Sequence, residues 1–395
     1  MTQTSFSDRV AIVGMSCTRF ADHWSQSLDD LIIDAATGVL DSTPGVELDD
    51  IEAFWLGTST SGRGGLSLSR PLKIKYKPVS RLENACATGS EALRHAAYAV
   101  ASGAYDIAMA VGAEKLKDSD YSGLTGENVP NDGAKTALTA PARFAMLVPA
   151  YCKKYGVSPA ELRDVMTHIA RKNHANGALN NRAQFRREVT REKVEQAPII
   201  AGDLRVFDCS GVSDGAAAAI VVRAEDALKY TDRPLYIKAL ALAAGPGTGT
   251  ADPSYDFTTF PEVVACAADA YAQAGVTDPG TEISLAEVHD CFTPTELVLM
   301  EDLGFSERGR GWKDVLDGRF EPTGALPVNI DGGLKSFGHP VGASGLRMLY
   351  EMWLQFRGEA GARQVRNPKL GLTQNLGGGP GECVSFISIV GSELG

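Results

Sequence analysis

Cys86 lies in the string Asn84-Ala-Cys86-Ala-Thr-Gly-Ser90, between small residues and directly before an Ala-rich stretch with helical character. Small neighbours leave room for a substrate to reach the sulfur. A helix N-terminus stabilises negative charge, so this placement predicts a lowered thiol pKa and a larger thiolate fraction. Such a thiolate is a nucleophile suited to acyl transfer, provided a base stands beside it. His339 is the candidate base, in Ser336-Phe-Gly-His339-Pro-Val-Gly-Ala-Ser-Gly345. Glycines on both sides and a following proline make a tight loop entering a helix, a frame that positions an imidazole. The histidines at 23, 95, 168 and 174 have no such frame and are read as structural.

A third element, His289-Asp-Cys291-Phe-Thr-Pro294, follows a strand-like run. Residues spaced i and i+2 at a strand's carboxyl end point to one face, and ligands bind at that end in open α/β sheets. His plus Cys also suits a metal, but no second pair at ligand spacing lies nearby, so a metal is set aside. The fourth element is Asn375-Leu-Gly377-Gly-Gly-Pro-Gly381. Glycines placed after a strand let backbone N–H groups approach a ligand closely. No Gly-Lys-Ser/Thr follows, so an oxyanion site fits better than a phosphate loop.

Strand-like and helix-like segments alternate along the chain, the pattern of an α/β fold. Val10–Ser16, Asp106–Ala113, Ala216–Val222, Ile283–Val288, Leu370–Gln374 and Cys383–Val390 read as strands; Leu28–Leu40, Glu91–Ser102, Pro261–Ala274 and Gly345–Phe356 read as helices. A fresh strand after Pro234 puts a boundary between halves near 225–234. A weak internal repeat lays CATGSEALR, from Cys86, on HPVGASGLR, from His339, with Gly89/Gly342, Leu93/Leu346 and Arg94/Arg347 in register. Residues 150–195 carry ten Lys/Arg against five Asp/Glu and read as an inserted helical subdomain able to attract a polyanion.

With 395 residues, the chain exceeds one ordinary core, and a net charge of -11 argues against nucleic acid as a partner. No apolar run reaches the roughly 20 residues of a membrane helix, and the N-terminus lacks a signal pattern. Seven cysteines without framework spacing fit reduced thiols, so the expected location is the cytoplasm.

Together, NACATGS, DCSGVSDGAAA at 208–218, HDCF at 289–292, GHPVGASG at 338–345 and NLGGGPG at 375–381 resemble the thiolase superfamily, specifically its sterol-carrier-protein-2 type, over nearly the whole chain. The resemblance implies a duplicated αβαβα layered α/β fold with an inserted helical loop domain. Residues 1–225 and 234–395 are the expected halves, and 115–205 the loop domain that holds coenzyme A. It also implies that Cys86 carries the acyl group and that His339 activates it. Most thiolases have Asn-Glu-Ala-Phe where this chain has HDCF, and Cys-x-Gly where it has Asn375-Leu-Gly377. The acid/base cysteine is thus absent from its usual loop, and the resemblance to the sterol-carrier type implies that Cys291 takes its place. A cysteine near the unperturbed ~8.5 can exchange protons at neutral pH. By the same resemblance, His289 helps form one oxyanion hole and the N–H groups of Cys86 and Gly377 the other. Ser210 lines the pantetheine tunnel, and Phe292 joins it in contacting coenzyme A. The implied activity is coenzyme A-dependent cleavage of a 3-oxoacyl-CoA, or the reverse Claisen condensation, through an acyl-cysteine. Coenzyme A is a co-substrate and no cofactor is held permanently. A homodimer or dimer of dimers is implied, with 57–65 as a possible interface segment. Two rival readings stand beside it. One is an acyltransferase or aldolase on a steroid or aromatic substrate, working with a small OB-fold partner protein. The other is a non-catalytic acyl-CoA-binding subunit.

Overall fold

The computed structural model describes residues 6–118, 139–249 and 252–395. Eleven strands form among the described residues: β1 Val10–Cys17, β2 Ala53–Gly57, β3 Val79–Leu82, β4 Ile107–Glu114, β5 Ile199–Ala201, β6 Leu204–Arg205, β7 Gly215–Arg223, β8 Leu235–Ala244, β9 Leu285–Glu287, β10 Gly371–Gly379 and β11 Glu382–Gly391. β5 and β6 make a small hairpin; the other nine form one sheet in the order β3-β2-β4-β7-β1-β8-β11-β10-β9. β1 and β4 are buried along their whole length, as their runs of apolar and small residues (β4 broken only by its last residue, Glu114) require of strands covered on both faces.

The sheet order records a duplication. β1 and β8 pair antiparallel in the middle. Outward from there, the first half runs β1, β7, β4, β2 and the second β8, β11, β10, β9. Pair by pair the directions agree: antiparallel, antiparallel, then parallel. β3 extends the first half alone.

Three apolar clusters set the layers. Leu31, Ile32 and Val39 of helix Leu28–Asp41 pack on Val13, Val111 and Ile220 of the first half. A middle cluster joins Leu93 and Ala97 of helix Thr88–Ala101 to Leu346 and Leu349 of helix Ser344–Phe356, with Ala219 on one side and Leu285 and Phe386 on the other. In the third, Val263 and Ala270 of helix Pro261–Ala274 pack on the second half beside Val165 and Ile169 of helix Pro159–Ala178. The result is helix, first half of the sheet, helix pair, second half of the sheet, helix: the duplicated αβαβα arrangement. The inserted helix starts on a capping box, Ser158 and Glu161 bonding reciprocally.

The middle helices start against one another. A Cβ on Gly89 would lie 2.6 Å from the Gly342 carbonyl oxygen; one on Gly342 would lie 2.8 Å from the Gly57 oxygen and 2.7 Å from Glu114 Oε2. Glu114 closes this contact from the end of β4. Its carboxylate accepts from Gly342 N–H at 2.9 Å and from the N–H groups of Ser59, Thr60 and Ser61 at 2.9 Å each.

Four expectations need correction. β2 and β3 were not predicted; each is short, and β3 is only partly buried, so neither shows a clean period. The glycines of 377–379 lie inside β10, paired with 382–384, rather than after a strand. The run expected as Ile283–Val288 is a strand only over Leu285–Glu287, which leaves His289 and Cys291 on a loop where strand alternation does not apply. The basic charge of 150–195 is partly neutralised by acidic residues outside the segment, in Arg163–Asp208 at 2.7 Å, Lys172–Glu296 at 2.8 Å and Lys154–Asp256 at 2.7 Å. Of the expected 115–205 loop domain, residues 119–138 lie outside the described residues.

Gly342→Ala should overpack this contact and cost ~1–3 kcal/mol of folding stability, read from the urea midpoint at constant slope. Gly64→Ala, at a position with open space, should stay within about 0.5 kcal/mol of wild type.

Candidate active site

Two residues past β3 the chain makes a strained turn. Ala85 adopts φ 47°, a left-handed conformation rare for a residue with a side chain. Thr88 holds the turn from both sides: its Oγ1 accepts from Asn84 N–H at 2.8 Å and donates to the Ala85 carbonyl at 2.5 Å. Helix Thr88–Ala101 begins immediately after, so Cys86 stands just ahead of the helix start. β10 passes close by. A Cβ on Gly377 would meet the Asn84 oxygen at 2.5 Å and Ala85 Cβ at 3.2 Å, so only glycine lets that strand lie against the turn.

The loop from 338 to 343 delivers His339. Its backbone N–H donates to Ser213 Oγ at 3.1 Å. Its Nδ1 lies 2.7 Å from Ser344 Oγ, which itself donates to the Pro340 carbonyl at 3.1 Å. If the hydroxyl gives its one proton to the Pro340 carbonyl, it accepts from the imidazole, and that arrangement carries the ring proton on Nδ1 with Nε2 as the acceptor. Nε2 is buried and has no hydrogen-bond partner among the described residues. His289 comes from the loop after β9, its ring edge-on to that of His339 with centroids 5.3 Å apart. Cys86 Sγ and one nitrogen from each histidine all lie within 4.8 Å of one another.

Electrostatics in this cluster favour neutral groups. Burial, with Arg347 adding, pushes His339 down to about 3. Burial, His339 and Arg347 push His289 well below the usual imidazole range. Cys86 is half-buried at its surface, yet desolvation, then Glu114 and Glu83, push its thiol up to about 12. This corrects the sequence expectation: removal from water outweighs the helix N-terminus. The same holds for Cys291, whose thiol is raised well above its ordinary value by burial first and by Cys86 second. It does not sit near its free value, and at neutral pH it is a proton-carrying thiol.

Cys291 is outside the tight cluster of three but couples to Cys86 electrostatically; its Sγ lies 3.9 Å from Thr295 Oγ1. Its carbonyl accepts from Ser210 N–H at 2.8 Å. Ser210 lines a cavity of about 250 Å³ with His174, Phe185, Val206, Phe207, Cys209 and Lys335, so that cavity is one backbone hydrogen bond from the HDCF loop. Phe292 is placed differently. Its ring is buried against Phe144, centroids 4.8 Å apart, and it is not in that cavity wall.

Sequence reasoning overlooked the residues that hold these groups. Ser344 belongs to the quoted GHPVGASG string, and its five-residue spacing from His339 carries no recognisable signal. Asp290 anchors the approach to His339, accepting from Leu334 N–H at 2.6 Å and Asn173 Nδ2 at 2.7 Å; burial and then Glu296 raise it to about 7. Arg347, fully buried, pairs with Asp331 and with Glu287 at 3.2 Å. In sequence it was only a repeat match.

The chain matches the family described as "Thiolase, N-terminal domain" over residues 10–225 and "Thiolase C-terminal domain-like" over 249–388. An acetyl-CoA acetyltransferase of Methanothermobacter thermautotrophicus is 38% identical over 386 residues, spanning 96% of this chain and 98% of its own length. Human sterol carrier protein 2 is 30% identical, over 96% of this chain and 71% of its own. Among solved structures, the Ltp2-ChsH2(DUF35) aldolase superposes with a TM-score of 0.82 at 24% identity, covering 98% of this chain and 99% of that one. Human mitochondrial 3-ketoacyl-CoA thiolase gives 0.69 at 17%, covering 98% and 100%. At these identities, the two structures speak to the fold.

With its pKa raised, Cys86 of the free protein should react with iodoacetamide about tenfold faster per pH unit from about pH 7 to pH 10. A rate that levels off below about pH 7 would mean a stable thiolate and contradict the electrostatics described.

Proposed function

The chain belongs to the thiolase family and is an acyltransferase of that family, and we propose that it cleaves a 3-oxoacyl-CoA, or runs the reverse condensation, with Cys86 as acyl carrier. The observation that carries this reading is the grouping of Cys86 Sγ with His289 and His339 nitrogens within 4.8 Å, His339 Nε2 being free to accept a proton.

In the proposed sequence Cys86 Sγ attacks the ketone carbon as His339 Nε2 takes its proton. His289 and the N–H groups of Cys86 and Gly377 receive the developing negative charge on carbonyl oxygens. The carbon–carbon bond breaks, and the departing acetyl-CoA enolate takes the proton of Cys291. Free coenzyme A then gives its thiol proton to the Cys291 thiolate and attacks the acyl-cysteine. Cys86 leaves as a thiol, reprotonated by His339. Because both thiols are neutral at rest, charge appears only once a carbonyl is present to receive it.

Ser210 gives this reading its entry route for pantetheine, through the cavity beside the HDCF loop; Phe292 shapes the site from the core. Arg186 and Arg187 are exposed and follow Phe185 of the cavity wall, a placement suited to the coenzyme A phosphates. We assign the two halves to 1–225 and 234–395, with coenzyme A held by 115–205. A homodimer or dimer of dimers in the cytoplasm, working in acyl-CoA and lipid metabolism, completes the proposal. It is consistent with seven unpaired cysteines and, among the described residues, no helix long and apolar enough to cross a membrane. A second reading, aldol chemistry with an OB-fold partner, draws on the likeness to the Ltp2-ChsH2(DUF35) aldolase. Retention of both Cys86 and Cys291 favours thiolysis.

Incubation with acetyl-CoA followed by intact-mass analysis should add one acetyl group to the wild type and none to Cys86→Ala. Cys291→Ala should still acylate, while its thiolysis of acetoacetyl-CoA falls roughly 10²-fold or more. Wild-type turnover in Cys291→Ala would assign the acid/base role elsewhere. Arg186→Ala/Arg187→Ala should raise KM for coenzyme A with little change in kcat; an unchanged KM would remove these residues from the proposed phosphate site.

A further inference from the structure

We infer that Cys86, His289 and His339 also form a capture site for a soft divalent cation such as zinc, which holds the protein in an unacylated, inactive state. The inference shares its residues with the thiolysis reading but stands on ligand geometry alone. One sulfur and two imidazole nitrogens within 4.8 Å of one another are the donor types of a three-ligand zinc site. With Zn–S at ~2.3 Å and Zn–N at ~2.0–2.1 Å, tetrahedral ligands stand about 3.3–3.7 Å apart, so the side chains need to close by only about an ångström.

Two further observations point to a ligand. The His339 Nε2 and His289 Nδ1 atoms are buried without a hydrogen-bond partner among the described residues, and the His289 side chain is itself almost inaccessible. An unpaired buried nitrogen is costly, and a cation satisfies it. The second contact of His339 is the kind that orients a ligating histidine: Nδ1 is held by Ser344, turning Nε2 to the metal. Cys86 and His339 are each only partly buried, so the group keeps some contact with solvent through which a cation can arrive. Spacing along the chain could not reveal this group, because the three residues come from segments about 50 to 250 positions apart; local spacing around His289 and Cys291 argues against a metal, and Cys291 is not a member.

The step is a ligand exchange. The cation forms a bond to Cys86 sulfur, the thiol proton leaves to solvent, and both histidines donate lone pairs; nothing is oxidised or reduced. Sulfur that shares a lone pair with the cation is a weaker nucleophile toward a carbonyl, and acylated sulfur is a poor metal ligand. Capture and acylation therefore compete with one another.

The test uses the full chain with Co²⁺ as spectroscopic probe and Zn²⁺ as competitor. One equivalent of Co²⁺ per chain should give a thiolate charge-transfer band, bleached by Zn²⁺, absent in Cys86→Ala and present in Cys152→Ser. His289→Asn should weaken Co²⁺ binding roughly tenfold or more while leaving the folded protein intact by circular dichroism. Zn²⁺ should protect Cys86 from iodoacetamide, as read by peptide mass. A band that survives in Cys86→Ala, or no protection of Cys86 at a tenfold excess of Zn²⁺, overturns the inference. Metal capture without any acetylation by acetyl-CoA would support this inference while counting against the thiolase chemistry.

Discussion

The two halves of the molecule meet where the starts of helices Thr88–Ala101 and Ser344–Phe356 press together without side chains between them. Gly89 and Gly342 face each other at a separation that excludes even a methyl group. Ser90 and Asn375 add a 2.7 Å hydrogen bond across the halves. Each helix start is preceded by one chemical group, a thiol on one side and an imidazole on the other. The backbone contact therefore fixes their separation more firmly than side-chain packing could, because backbone atoms have nowhere to relax. Glu114 makes the arrangement single-valued by binding the Gly342 loop and residues 59–61 with one carboxylate.

Enclosing a thiol and two imidazoles this tightly has an electrostatic consequence. Removal from water penalises every charged form, so the histidines are held neutral and the thiols protonated. Arg347 adds to the effect on both rings, and its own charge is matched by Asp331 in the layer beneath. Burial, and after it Asp331, push the Glu287 carboxyl up, while Arg347 opposes them. The site at rest is thus a set of neutral donors and acceptors, ready to move one proton when a carbonyl arrives.

Much of this was legible in the sequence. The long apolar strands were readable because they are buried on both faces, and helix Pro261–Ala274 because proline and glycine mark its ends. The Cys86/His339 repeat was readable because a glycine contact leaves glycine at matching offsets, with Leu93 and Leu346 beside it. Arg94 and Arg347 match in type but not in setting: the first remains partly exposed and pairs with Glu91, the second is buried. What was not legible depends on partners far along the chain. Glu114, Ser344 and Asp290 are ordinary residues by type, and only folding brings them to the loops they hold. The direction of the Cys86 shift was misjudged for the same reason, since helix placement is local and desolvation is not. The glycines of β10 were read as a loop because composition suggested freedom, whereas the strand needs them to pass against Asn84 and Ala85.

The protonation state of the two buried imidazoles is the point on which the account turns. Nitrogen-15 NMR of histidine-labelled protein, with His289→Asn and His339→Asn for assignment, reads it directly. The account predicts both rings neutral from about pH 6 to pH 9, with the proton of His339 on Nδ1. An imidazolium at neutral pH that disappears in Cys86→Ala would reveal a resting thiolate–imidazolium pair and contradict it.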